Sequence, residues 1–274
     1  MIGLTLKYKT LAGNGAGTPE GLLTDSYGGL EAALYAFREQ GVGSIEISFV
    51  DSHSSTSALQ EMIDRIYGAG MRVSFHGVLE NMTGEEYLRW FTPIFNTVFA
   101  HQDSLNVTLH AFTDLPLTKR LLADWAERAL PVFPRLTFAL ENQRVHNESF
   151  PHEKAHFRID AIPAMLPASP NIGICWDMGH YAYNVLQAGM PVETLPGNEA
   201  LSMIRHTHIH CLKELNTHHP IVRHPIEEYV GALKGVGYRG LYNIEVKPEK
   251  YISYLDVRKG MEDSIRNLRN ILDE

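Results

Sequence analysis

A chain of 274 residues is long enough for one large hydrophobic core and falls near the usual size of an α/β barrel. Its 44% hydrophobic and 20% charged content is that of a globular protein, and a net charge of −8 argues against a general nucleic-acid surface, which needs a basic stripe. Two cysteines, Cys175 and Cys211, make no disulfide framework, the opening MIGLTLKYKT lacks a signal peptide's apolar core, and no apolar run reaches the ~18 residues of a membrane span, so a cytoplasmic location is expected.

Extended runs alternate with helical ones from the first residue. Strands are expected at Ile2–Tyr8, Ser44–Phe49, Arg72–Leu79, Asn106–Phe112, Leu136–Asn142, Ile172–Asp177, Arg205–Leu212 and Leu241–Val246. After the first strand, AGNGAG imitates a dinucleotide-binding glycine pattern. Thr18 stands in place of the last glycine, however, and Pro19 follows, so a loop over a barrel mouth, acting as a lid, fits better. Amphipathic stretches such as GGLEAALYAFREQG, SALQEMIDRIYGAG, LTKRLLADWAERAL and PIEEYVGALKGVG separate the strands, several closing on glycine as helix C-termini do. Pro93, inside EYLRWFTPIFNTVFA, should kink or split the third helix. Its aromatics Trp90, Phe91, Phe95 and Phe99 read as packing or as a subunit interface, which leaves room for a homo-oligomer. From Tyr181 to Ile204 the pattern is irregular, with Pro191 and Pro196 parting two short helical pieces. Eight strand–helix units with no linker read as one domain, residues 1–274, folded as a single (β/α)8 TIM barrel.

Four of these strands end on groups that suit a metal: Glu141 in LTFALEN, Asp177 in NIGICWDMGH, His208 in RHTHIHC and Glu245 in LYNIEVKP. A buried strand end rarely tolerates a carboxylate without a partner, and a cation would offset the cost of gathering three carboxylates and an imidazole. Oxygen-rich ligation with one imidazole suits Mn²⁺, Mg²⁺ or Co²⁺ and accepts Zn²⁺. Strand alternation puts Cys175 one layer below Asp177, places His206 and His210 on the face of His208, and sets Asn243 below and Lys247 above Glu245. Lys247 and Lys213 are the candidate substrate contacts, and Arg223 is a further candidate for a phosphate.

The set LEN, WDMGH, HTHIH and GYRGLYNIEV, in this order on strands five to eight, resembles the xylose-isomerase-like barrel superfamily. That group includes sugar isomerases and epimerases and the apurinic-site endonucleases of family 2. The resemblance spans essentially the whole chain and implies one divalent ion held by Glu141, Asp177, His208 and Glu245. It implies an isomerase or epimerase of a small sugar, keto-polyol or sugar phosphate. Glu141 and Glu245 would move a proton through a metal-stabilised enediolate, and His180 would bond a substrate oxygen at the rim.

A second reading stays open. Fourteen histidines are more than one metal needs. His76, His110, His180 and His219 resemble the additional ligands of the three-zinc endonucleases, although Thr217 stands where those enzymes carry an aspartate. The HGV after strand three is similar to iron-dependent oxidases on this fold. This alternative implies up to three zinc or iron ions and a phosphodiesterase, an oxidase or a metal-dependent lyase. The acidic charge argues against duplex DNA as substrate. His206, His210 and His218 are expected to be packing or surface residues, as are His101, His146, His152, His156 and His224. Glu46, inward on strand two, is expected to be a buried carboxylate that orients a ligand histidine.

Overall fold

The computed structural model describes residues 1–8, 21–111, 114–145, 158–250 and 254–274. The expected lid at 12–19, the last residue of the expected fourth strand (Phe112), and His146, His152 and His156 lie outside them.

In chain order the elements are β1 (Ile2–Lys7), α1 (Leu22–Asp25), α2 (Leu30–Glu39), β2 (Val42–Val50), α3 (Thr56–Gly68), β3 (Arg72–Val78), α4 (Gly84–Phe99), β4 (Leu105–His110) and α5 (Leu115–Ala129). They continue with β5 (Leu136–Glu141), β6 (Ile172–Asp177), α6 (Met178–Gln187), α7 (Asn198–Ser202), β7 (Ile204–Ile209), β8 (Cys211–Lys213), β9 (Asn216–His219), α8 (Arg223–Gly235), β10 (Tyr242–Ile244) and α9 (Tyr254–Asp273). Strands β1, β10, β7, β6, β5, β4, β3 and β2 pair in that order and close a barrel, with every pairing parallel. This is the expected (β/α)8 TIM barrel. Among the described residues, no helix is long and apolar enough to cross a membrane.

The apolar core lies between the barrel and its helices. Ile45, Ile47, Phe75, Val107, Leu109, Phe138, Leu140, Ile174, Trp176 and Ile244 are buried there with the inner faces of the helices. The period of two then turns the alternate residues inward: Ser44, Glu46 and Ser48, then Ser74 and His76, Asn106 and Thr108, Cys175 and Asp177, His206 and His208, and Asn243. The lumen is therefore polar where most barrels stack Val, Ile and Leu.

Two local expectations are corrected. Pro93 does not split its helix, because α4 runs unbroken through it. A Thr83–Glu86 capping box fixes the N-terminus, and Tyr87, Phe91, Ile94, Phe95 and Val98 are buried along one face. That burial outweighs the ~3 kcal/mol a proline costs inside a helix. The aromatics pack within the fold: Tyr87 stacks on Trp125 at 3.9 Å between ring centres, and Phe95 meets Phe133 edge-on at 5.3 Å. The expected seventh strand, Arg205–Leu212, divides into β7 and a two-stranded antiparallel ribbon, β8–β9. Leu215 and Glu214 turn the ribbon with positive φ values of 64° and 51°.

Candidate metal centre

Every sequence-derived ligand sits at or just beyond the C-terminal end of a barrel strand. Glu141, Asp177 and His208 are buried, and the Glu245 side chain is 12% exposed. Glu141 is the hub. Its Oε2 lies 3.0 Å from His76 Nε2 and 3.1 Å from His110 Nε2, and those two nitrogens are 2.8 Å apart. Its Oε1 lies 3.2 Å from His180 Nδ1, which is also 3.2 Å from Asp177 Oδ2. His208 turns Nδ1 toward two carboxylates, 3.4 Å from Glu141 Oε2 and 3.5 Å from Glu245 Oε2.

Asp177 is held by local design. Its backbone N–H donates to Asn142 Oδ1 at 2.8 Å, its carbonyl accepts from Asn142 Nδ2 at 3.0 Å, and its Oδ1 caps α6 by accepting the His180 N–H at 2.6 Å. The cap leaves the carboxylate facing His180 and His210, with His210 Nε2 3.0 Å from Oδ1. Asn142 clamps two strand ends and is a positioning residue that the sequence reading did not single out.

Three further histidines take their places in the interior. His210 is fully buried against Asp177, and His206 is buried in the lumen, 2.8 Å from Glu46 Oε2. His218, not His219, enters the cluster. Its ring lies 4.1 Å from that of His210 and 5.4 Å from that of His180, whereas His219 is half-buried beside the ribbon. The cause is backbone geometry: His218 has φ 65°, and the register of β8 and β9 shifts between Cys211 and Lys213. For His210 the signal was legible in WDMGH, since a Cβ on Gly179 would lie 1.9 Å from the His210 ring. Glycine is the residue that admits that imidazole.

Glu46, 0% exposed, stands beneath the centre. Its Oε1 is 2.8 Å from His208 Nε2 and accepts from Thr5 Oγ1 at 3.0 Å and Asn243 Nδ2 at 3.2 Å. It fixes which His208 nitrogen faces the mouth. Lys247 adjoins the centre, its backbone N–H donating to the His218 carbonyl at 3.1 Å. Lys213 is exposed on β8, and Lys250 Nζ bonds the Thr217 carbonyl. Arg223 is taken up by ion pairs with Glu227 and Glu274 and is not at the mouth cluster.

Burial alone would raise the carboxylate pKa values, but the imidazoles prevail. His110 and His76 hold Glu141, and His208 and His206 hold Glu46, well below the usual carboxylate range. Asp177 is lowered to about 2 by His180 and His210 against its burial. Burial opposes charge on the histidines too, yet carboxylate neighbours raise His76 and His180, and Cys175 with Glu46 and Glu245 raises His208 well above the ordinary value. His218, buried beside His210 and Lys247, is pushed well down.

The donor set fits metal ions. His76 Nε2, His110 Nε2 and Glu141 Oε2 form a triangle with sides of 2.8, 3.0 and 3.1 Å. Its three edges cannot all be satisfied by hydrogen bonds, because each neutral imidazole carries one proton and the oxygen only accepts. Donors at right angles around an ion at ~2.1 Å lie ~3 Å apart, so the triangle matches one face of a coordination shell. Glu141, Asp177 and His180 form a second compact donor group, and His180, His210 and His218 a third. His208 Nδ1 and Glu245 Oε2 are buried atoms without a hydrogen bond.

No protein-family model matches the sequence, and no curated protein does. Among solved structures, the chain is similar to D-psicose 3-epimerase crystallised in the presence of D-fructose, with 12% identity over 97% of each chain and a TM-score of 0.56. A weaker likeness is to a Streptomyces avermitilis protein assigned as an orotidine 5'-phosphate decarboxylase, with 10% identity, 100% of this chain and 91% of that one covered, and a TM-score of 0.49. At such identities the first likeness shows the barrel fold and no more.

Proposed function

We propose that the chain is a multinuclear metalloenzyme that hydrolyses a phosphate ester of a small molecule at the C-terminal mouth of its barrel. One observation carries this reading: Glu141 divides its two oxygens between separate nitrogen sets, His76 with His110 on one side and His180 on the other. One ion would leave most of these buried imidazoles unused. Glu141 would be the shared ligand of two ions. His76 and His110, with His208 and Glu245, would complete one side, and Asp177 and His180 the other, with His210 and His218 available to a third. Bound zinc or iron would supply Lewis acidity and an activated water.

The chain's own residues supply the rest. Glu245 is the least enclosed carboxylate of the centre, and its Oε2 has no hydrogen bond, which suits it to take a proton from the mouth side. Lys213, Lys247 and Lys250 gather around the β8–β9 ribbon, giving a basic rim for a phosphate on an otherwise acidic chain.

A second reading rests on its own observation. Glu141 and Glu245 flank His208 Nδ1 at 3.4 and 3.5 Å, so two carboxylates share one ligand position, a pairing that suits proton transfer between faces of a sugar. D-psicose 3-epimerase, the similar barrel, is by its name an enzyme of that reaction class. The two readings separate by metal analysis of the purified protein together with two assays. Two or more ions per chain and turnover of a p-nitrophenyl phosphate ester, lost in Glu141→Gln, support the hydrolase. One ion per chain, with deuterium entering a ketose from D2O and no ester turnover, overturns it in favour of the isomerase.

A further inference from the structure

The far end of the barrel has an opening of its own. A cavity of about 310 Å³ enters the N-terminal face, between the first residues of β3, β4, β5 and β7 and the segment before β10. Barrel floors are ordinarily sealed by packed aliphatic side chains. Here Ser44, Ser74, Asn106, Thr137 and His206 line the opening instead.

Its charge is one-sided. Arg72, Arg205 and Arg239 line it against a single carboxylate, Asp103. Arg72 pairs with Asp103 at 2.6 Å and also donates to Ser104 Oγ at 2.9 Å. Arg205 spends its N–H groups on the carbonyls of Pro170, Ser202 and Ile204, so its charge is not neutralised. Among the described residues Arg239 has no ion pair. The floor also holds a buried donor without a partner: Ser74 Oγ, in a residue 1% exposed. Unpartnered donors in a fold cost stability and commonly mark a place where something else binds.

We propose that this N-terminal cavity is an anion site for a small divalent oxyanion, either free phosphate or the phosphate group of a phosphorylated small molecule. Arg239 and Arg205 would supply the charge, and Ser74 the buried donor. The site is separate from the metal centre: His206 Nε2 faces Glu46, which in turn holds His208, so the two ends of the lumen share one side-chain chain without sharing ligands. The inference is independent of the function proposed above.

The test is NMR titration of the full-length, metal-loaded protein with inorganic phosphate at constant ionic strength, following the backbone amides of Ser74 and Asn106. Saturable shifts are expected at both. Arg239→Gln, which removes an exposed side chain that makes no ion pair among the described residues, should weaken them about tenfold. Lys247→Gln, at the opposite mouth, should leave them unchanged. Repeating the titration with glycerol 3-phosphate identifies the source: tighter binding points to a phosphorylated small molecule, equal binding to free phosphate. Absence of saturable shifts with either probe, or shifts that survive Arg239→Gln and vanish in Lys247→Gln, would overturn the proposal.

Discussion

Glu46→Gln is the sharpest test of how the lumen supports the metal centre. Glu46 places Oε1 2.8 Å from His208 Nε2 and Oε2 2.8 Å from His206 Nε2 while Thr5 and Asn243 donate to it, so four side chains converge on one buried carboxylate. The amide keeps the volume but removes the charge that makes His208 a strong donor through its other nitrogen. It also turns an N–H₂ toward one of two imidazoles. Loss of such an outer partner typically costs 10–100-fold in metal affinity, or about 1.4–2.8 kcal/mol. Folding should change less, because packing is preserved. The assay is competition for the bound metal against a chelator of known affinity, with urea unfolding of the metal-free protein in parallel. Metal affinity within twofold of wild type in a folded Glu46→Gln protein would show that Glu46 merely fills the lumen.

Other outcomes follow from the same geometry. Gly179→Ala should drive the His210 ring away from Asp177, since the added Cβ would meet it at 1.9 Å; activity should fall at least tenfold with roughly 1–3 kcal/mol of stability, and unchanged kinetics would refute the contact. Metal binding should release protons, because His76, His180 and His208 hold theirs above the ordinary imidazole value and must lose them to ligate. Affinity should therefore drop as pH falls, beginning above the usual ~6.5, and calorimetry in two buffers of different ionisation enthalpy would detect the released protons, or their absence. Trp125→Ala, which deletes the ring stacked on Tyr87 and the bond to the Met82 carbonyl, should cost about 3–5 kcal/mol in urea denaturation without altering metal content.

The barrel was legible because each strand carries its own apolar run and each helix its own amphipathic period, and eight such units leave few ways to close. Glu141, Asp177, His208 and Glu245 were legible for the same reason: alternation along a regular strand fixes which side chains face inward. His218 was not. It sits past a register shift in a four-residue strand with φ 65°, and the expectation of His219 rests on the resemblance to the three-zinc endonucleases, not on the local geometry. At Pro93 the sequence shows the local cost of a proline, whereas the buried aromatic face that keeps α4 continuous shows only in the fold.

His206 and His210 expose a deeper reason. Both share the face of His208, and both are expected from the sequence as packing or surface residues. In the fold most of the inward face is polar, from Ser44 and Ser74 at the floor through Glu46, His206 and Asn243 to the ligands at the mouth. A lumen without aliphatic plugs does not contribute to the core in the usual way, so the stability of this barrel rests on the layer between strands and helices. The buried polar groups are then kept despite their cost, and the physical reason is cooperative. Glu46 is tolerable only with His206 and His208 beside it, those histidines only with Glu46 and Glu141, and Glu141 only with His76, His110 and His180. Removing any one member strands its neighbours. The linked polar side chains that run from the floor to the mouth therefore mark the interior of this barrel as one electrostatic unit, with the metal ligands as its upper end.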